Sequence, residues 1–504
     1  MSDETIETSK KNSKDHEKPE GKQTEHTLTL GDGTVFPYTA TADWILLRKK
    51  EKPVAEMFHV SYISKESADV DRPLTFVFNG GPGAASAFLH VGALGPRRVV
   101  FEADGTPPGP PSRLVDNAES WLSFTDLVFI DPIGTGFSRA IDDSESSGTA
   151  KDSGSKEKEP EKEFWQLNRD LDSLAEFVQK YLSVHNRWTS PVFIAGESYG
   201  GFRVAKLARK LQAGYGVGLN GAILISPALE WYFLTSSDYD VIGWAGAFPT
   251  MAAAAAHHGR SRVFDSETPL SEILSEAERF VGDELIPYLA QGEGMATERR
   301  QKTLTRMADL LGLEVGELER REGRMDILSF ARLLLRDQNR VCGLYDATVT
   351  APDPFPDRAN FEGPDPTLYS IERLFAGAIN AQIRSDLELK TDRDYHLLNM
   401  EVNQSWKVDG KRHAFDTQIG STDDLRYAMA LNPHMKVFLT HGYYDLVTPY
   451  FASNRICNLL KLDPELRKNL FLRHFEGGHM FYSWESTRFE FRDAMRDFYE
   501  IAVG

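Results

Sequence analysis

The sequence predicts an α/β fold, with a mostly parallel central sheet flanked by helices. The first reason is Pro191-Val192-Phe193-Ile194-Ala195, a short apolar run that reads as a buried strand and leads into Gly196-Glu197-Ser198-Tyr199-Gly200-Gly201. Residues 202–211 follow with apolar side chains at helical spacing, so strand, turn and helix come in succession. The second reason is that the same design recurs. Thr75-Phe76-Val77-Phe78 leads into Asn79-Gly80-Gly81-Pro82-Gly83, Lys436-Val437-Phe438-Leu439-Thr440 into His441-Gly442, and Asn469-Leu470-Phe471-Leu472 into Gly477-Gly478. Apolar runs broken by glycine turns and helical stretches are the pattern of strands buried on both faces.

Each turn carries a chemical residue. Glycines two before and two after Ser198 allow the sharp strand-to-helix bend that exposes a serine hydroxyl, the nucleophile elbow of α/β-hydrolases. The helix that follows brings backbone N–H groups and a positive dipole end to the same place. In the turn after Phe78, glycines bring bare amides close to a ligand, as the second half of an oxyanion hole requires. No Gly-Lys-Ser/Thr follows, so this is not a phosphate loop. Asp445 and His479 lie just past the two later strands, where open α/β sheets place working residues. The chain order Ser198, Asp445, His479 is that of the α/β-hydrolase triad and differs from the chymotrypsin and subtilisin orders.

Four segments together, the Gly196–Gly201 elbow, the Asn79-Gly80-Gly81-Pro82-Gly83 loop, Asp131-Pro132-Ile133-Gly134-Thr135-Gly136-Phe137-Ser138 and the Gly477-Gly478-His479-Met480 ending, resemble the serine carboxypeptidase family, in its disulfide-poor bacterial branch. The resemblance covers most of residues 27–230 and 395–504. It implies Ser198 as nucleophile, His479 as general base and acid, and Asp445 as the carboxylate orienting it. It implies oxyanion amides at Gly81 and Tyr199. Asn79, Gly80 and Glu197 would hold the free carboxylate of the substrate's last residue, and Met480 would line the pocket for the leaving residue. The chemistry supports the clamp independently: two carboxylates at hydrogen-bond range cannot both stay ionised, so Glu197 must carry a proton to meet a substrate carboxylate. The chain departs from the family pattern at Val77, at Ala84-Ala85 and at Asp131, an added acidic group expected near the carboxylate site.

Composition bounds the rest. The net charge of −18 leaves no basic stripe for nucleic acid. No stretch reaches the roughly 18 apolar residues that span a bilayer, and the hydrophilic start lacks a signal core. Two cysteines allow at most one disulfide, so the chain reads as cytoplasmic, with the periplasm as the alternative. His257-His258 are adjacent rather than at ligand spacing, and neither a metal nor another cofactor is expected.

The expected organisation is a disordered tail over 1–26, a first core part over 27–230 carrying a solvated low-complexity insertion at 141–162, a helical cap over 231–394, and a second core part over 395–504. The expected function is removal of a C-terminal residue from a peptide, with a peptide or small acyl compound as substrate. The alternatives are another α/β-hydrolase acting as an esterase or peptidase, and an inactive hydrolase fold used for binding.

Overall fold

The computed structural model describes residues 16–65, 71–141, 160–234, 237–408 and 419–504. Among these residues, one large mixed sheet organises the chain. Its path strands are β1 (Lys22–Thr29), β2 (Val35–Lys49), β3 (Lys52–Ser64), β4 (Leu74–Phe78), β5 (Asp126–Ile130), β6 (Val192–Glu197), β7 (Gly221–Ile225), β8 (Lys436–Thr440) and β9 (Leu470–Leu472). The spatial order is β1-β2-β3-β5-β4-β6-β7-β8-β9, with the short strand Arg139–Ala140 added against β3. β1, β2 and β3 form an antiparallel meander, and β3 also runs antiparallel to β5. From β5 to β9 every pairing is parallel.

The parallel strands are apolar throughout because both faces are covered. Val77, Phe129, Phe193, Ile223 and Phe438 point into one cluster, where Phe491, Met495 and Tyr499 of the C-terminal helix (Glu485–Val503) cover them. Their neighbours Phe78, Val128, Ile194, Leu224 and Leu439 point into the opposite cluster. That face is covered by α1 (Leu167–Val184), through Leu174, Phe177 and Tyr181, and by α2 (Tyr199–Gly214), through Phe202, Val204 and Leu207.

The leading meander differs from expectation at its start. β1 begins at Lys22, five residues inside the segment expected to be a disordered tail, and pairs with β2 from Lys22↔Ala42 to Thr29↔Val35. Its side chains are polar and mostly outward, so composition alone reads as disorder. Backbone pairing, His26 stacked on Tyr38 at 5.4 Å and the Glu25–Lys65 ion pair hold it instead. Residues 1–15, and 142–159 of the low-complexity insertion, lie outside the described residues.

The range 231–394 divides between two cores. Helices Phe248–His257, Leu270–Phe280 and Thr297–Leu311 bury Met251, Phe280, Met307 and Leu311 in a third cluster, which also takes in Tyr444, Leu446 and Tyr450. The helix Leu368–Ala381 instead packs Ile371, Leu374 and Phe375 into the sheet's first cluster.

Candidate active site

The four loops meet at the carboxyl ends of the parallel strands and enclose a cavity of about 390 Å³. Ser198 sits between β6 and α2 with φ 62° and ψ −123°, a conformation that L side chains avoid and that costs on the order of 1–3 kcal/mol. The surrounding structure holds it there: Ser198 N–H donates to Ile225 O at 2.9 Å, and Gly201 N–H donates to Ser198 O at 3.0 Å. Glycine is needed where this elbow meets the loop after β4. A Cβ on Gly80 would lie 2.1 Å from Gly200 N, and one on Gly200 would lie 2.6 Å from Phe78 O. The two turns therefore touch backbone to backbone. Gly81 and Tyr199 both line the cavity with Ser198, and Tyr199 stands at the first position of α2.

Asp445 and His479 come together because their loops are zipped past the strand ends. Tyr443 N–H donates to Phe475 O at 3.0 Å and Tyr444 N–H to Gly477 O at 2.9 Å. His479 Nδ1 lies 2.6 Å from Asp445 Oδ2, and both residues are buried. The N–H groups of Val447 and Thr448 donate to Asp445 Oδ1 at 2.9 and 3.0 Å, and Thr448 Oγ1 lies 2.6 Å from Oδ2. Ser226 Oγ donates to His479 O at 2.8 Å. Burial works to lower the His479 pKa, but Asp445, aided by Glu197, holds the imidazole above its ordinary value. With Nδ1 turned to Asp445, Nε2 is the nitrogen left for proton transfer.

The other half of the cavity is built around Glu197. Asn79 Nδ2 donates to Glu197 Oε2 at 2.5 Å, while Asn79 Oδ1 accepts from Leu89 N–H at 2.9 Å, which fixes the direction of the amide. Tyr482 OH donates to Glu197 Oε1 at 2.8 Å. Beneath them Arg203 donates to Asn79 O at 2.7 Å and holds Asp170 through two nitrogens. Burial pushes the Glu197 carboxyl up to about 7, against the opposing effects of His479, Tyr482 and Asn79. Among the described residues, no Lys or Arg lines the cavity; the walls are mainly apolar, including Phe88, Trp231, Ile371, Trp406 and Met480.

Ser198, His479, Gly80, Gly81, Tyr199, Asn79, Glu197 and Met480 all line this one cavity, and Asp445 stands behind His479. Asp131 does not line it. Its carboxyl is buried below the loop, accepting from Ser86 N–H at 2.9 Å, with Oδ2 pressed against Gly136, where a Cβ would lie 1.7 Å away. An acidic group in the carboxylate site is therefore not what Asp131 supplies. His257 and His258 sit at the end of their helix, and His258 Nε2 lies 2.8 Å from Ala347 O. Among the described residues, no group of three His, Cys, Asp or Glu side chains is arranged to hold a metal.

Sequence reasoning missed Thr448, Tyr482 and Tyr345. Tyr345 accepts the His479 N–H at 2.5 Å and sets its ring edge-on to the imidazole at 5.2 Å. For Thr448 a signal existed: a hydroxyl three residues after an aspartate is a common turn-closing pattern.

A serine, aspartate and histidine in this chain order at the strand ends of a sheet of this topology define an α/β-hydrolase fold. Residues 36–230 match the family described as serine carboxypeptidase. Serine carboxypeptidase-like 13 of Arabidopsis thaliana is 28% identical over 203 residues, 39% of this chain and 41% of that protein. The pheromone-processing carboxypeptidase KEX1 of Yarrowia lipolytica is 30% identical over 181 residues, 34% of this chain and 25% of that protein. The chain thus spans less than half the length of these curated relatives. The crystal structure of KEX1ΔP, a prohormone-processing carboxypeptidase from Saccharomyces cerevisiae, superposes over 92% of this chain and 91% of its own, with a TM-score of 0.53 and 17% identity. The family match ends before Asp445 and His479, so their association with Ser198 rests on the geometry.

Proposed function

We propose that the protein is a serine-type carboxypeptidase that removes the last residue of a peptide. The observation that carries this is the buried Asn79–Glu197 pair in the same cavity as Ser198 and His479. The described lining offers a substrate carboxylate neutral donors: the Asn79 amide, the Gly80 backbone and a protonated Glu197. A carboxyl that holds its proton to about 7 suits that task.

Chemistry then follows from position. Ser198 Oγ attacks the last peptide carbonyl and its proton passes to His479 Nε2, while Asp445 holds Nδ1 and stabilises the imidazolium. The Gly81 and Tyr199 amides receive the oxyanion. The C–N bond breaks, the departing amine takes the proton from Nε2, and the last residue leaves past Met480. Water, deprotonated by the same nitrogen, then hydrolyses the acyl-enzyme. The free, buried Cys342 and Cys457 support placement in a disulfide-poor branch of the family, the bacterial one in our reading.

The test is digestion of a small panel of peptides, each with a free and an amidated C-terminus, with products read by mass spectrometry. Loss of one C-terminal residue from the free forms, with the amidated forms much slower, is expected. Cleavage indifferent to the terminal carboxylate, or confined to esters, would assign the site to another hydrolase activity, and no turnover of any substrate would point to a binding protein.

A further inference from the structure

Glu197 has two oxygens, and the structure gives them different partners. Oε2 accepts from Asn79 Nδ2 at 2.5 Å, and Oε1 accepts the Tyr482 hydroxyl at 2.8 Å. Tyr482 is fully buried, and burial raises its pKa far above the ordinary phenol value, so its O–H remains a donor. Among the described residues Glu197 is the one hydrogen-bond partner shown for that hydroxyl. Tyr482 comes from the turn after His479, three residues on, and its ring packs near Gly92, where a Cβ would meet Tyr482 Cε2 at 3.2 Å.

Resting on the carboxypeptidase reading, we propose that Tyr482 is a positioning residue that holds Glu197 through Oε1 and sets the alkaline limit of peptide binding. Asn79 Nδ2 donates to Oε2, and the Tyr482 hydroxyl fixes the carboxyl from the other side by donating to Oε1. The same bond favours the ionised carboxylate and so counters burial. Without it, Glu197 would hold its proton to higher pH. The other groups facing Glu197 are His479 and Asp445 from the two later loops, Asn79 from the loop after β4, and Tyr345 from the turn between the short strands Arg340–Cys342 and Thr350–Pro352. Arg203 lies one layer below and is paired with Asp170. Of these, Tyr482 and Asn79 bond Glu197 directly, and Tyr482 is the one not expected to touch substrate.

The test is kcat/KM against pH for one peptide and its amidated twin, in wild type, Tyr482→Phe and Glu197→Gln/Tyr482→Phe. Tyr482→Phe removes one oxygen and should move the alkaline fall for the peptide upward by about one to two pH units, the size expected for one hydrogen bond to a carboxylate. The amidated twin should keep its wild-type profile, and the double variant should show no alkaline fall. Tyr482→Met, which removes the hydroxyl with a different shape, should reproduce the upward shift if the Phe variant folds poorly. A uniform loss at every pH, with the peptide's alkaline fall unmoved in both variants, would overturn the proposal and leave the carboxylate clamp standing. Identical profiles for peptide and twin in the wild type would overturn the clamp and this proposal with it.

Discussion

The two halves of the cavity each contain a buried carboxyl group, and the two are treated in opposite ways. Asp445 is surrounded by donors: two backbone N–H groups, the Thr448 hydroxyl and the imidazole of His479. Glu197 has two donors, no cation among the described lining residues, and a proton held to about 7. The first arrangement suits an orienting carboxylate that stays put. The second suits a group that must give and recover a proton as a charged ligand comes and goes. Two carboxyls in one site with different surroundings are how one fold divides acid and base roles.

The largest effects should come from the triad half. Ser198→Ala should lower turnover on the order of a million-fold without altering the circular dichroism spectrum, and His479→Ala nearly as much. Asp445→Asn should cost about 10⁴-fold, because the amide cannot hold the imidazole in the same tautomer. Peptidase activity surviving in pure Ser198→Ala protein would remove the nucleophile from the account.

Gly80→Ala attacks the junction between the halves, where the clamp loop rests on the elbow. Its Cβ would meet Gly200 N at 2.1 Å, so the loop must shift, with a stability loss of about 1–3 kcal/mol and a large loss of peptide cleavage. Chemical denaturation and activity together check this; a variant with wild-type values would show that the contact is slack.

Asp131 separates burial from function. Burial pushes its carboxyl up to about 7, as for Glu197, yet it does not line the cavity. A carboxyl raised in the folded state adds stability below its unfolded-state range, and that stability is lost as pH rises through about 7. Asp131→Asn should therefore flatten the decline of melting temperature between pH 5 and 8, with an effect of about 1–3 kcal/mol, while the pH profile of cleavage stays in place. A moved profile would tie Asp131 to the site.

Much of this site was legible in the sequence because its residues stand on local signals. Glycine spacing marks Ser198, and strand-then-glycine marks Asp445 and His479. What was not legible depends on three-dimensional neighbours. Tyr482 reads as one more aromatic in a turn until β6 and the C-terminal loop are set side by side. Asp131 reads as a cavity group by its place in a motif, but the Gly136 turn folds over it. β1 was misread from Lys22 onward because a polar edge strand owes its order to backbone pairing, which composition does not report.

The central claim is that Glu197 reads the substrate's free carboxylate through a proton. His479 must be neutral to act as a base and holds its own proton above the ordinary imidazole range, while Glu197 must stay protonated and loses its proton near 7. Peptide cleavage should therefore be confined to a narrow band close to neutrality. The decisive measurement is KM against pH for a peptide and its amidated twin, in wild type and Glu197→Gln. The peptide's KM should rise about tenfold per pH unit above roughly 7 in the wild type, stay flat in Glu197→Gln, and show no such rise for the amidated twin. Parallel KM profiles for both substrates in the wild type would contradict the account.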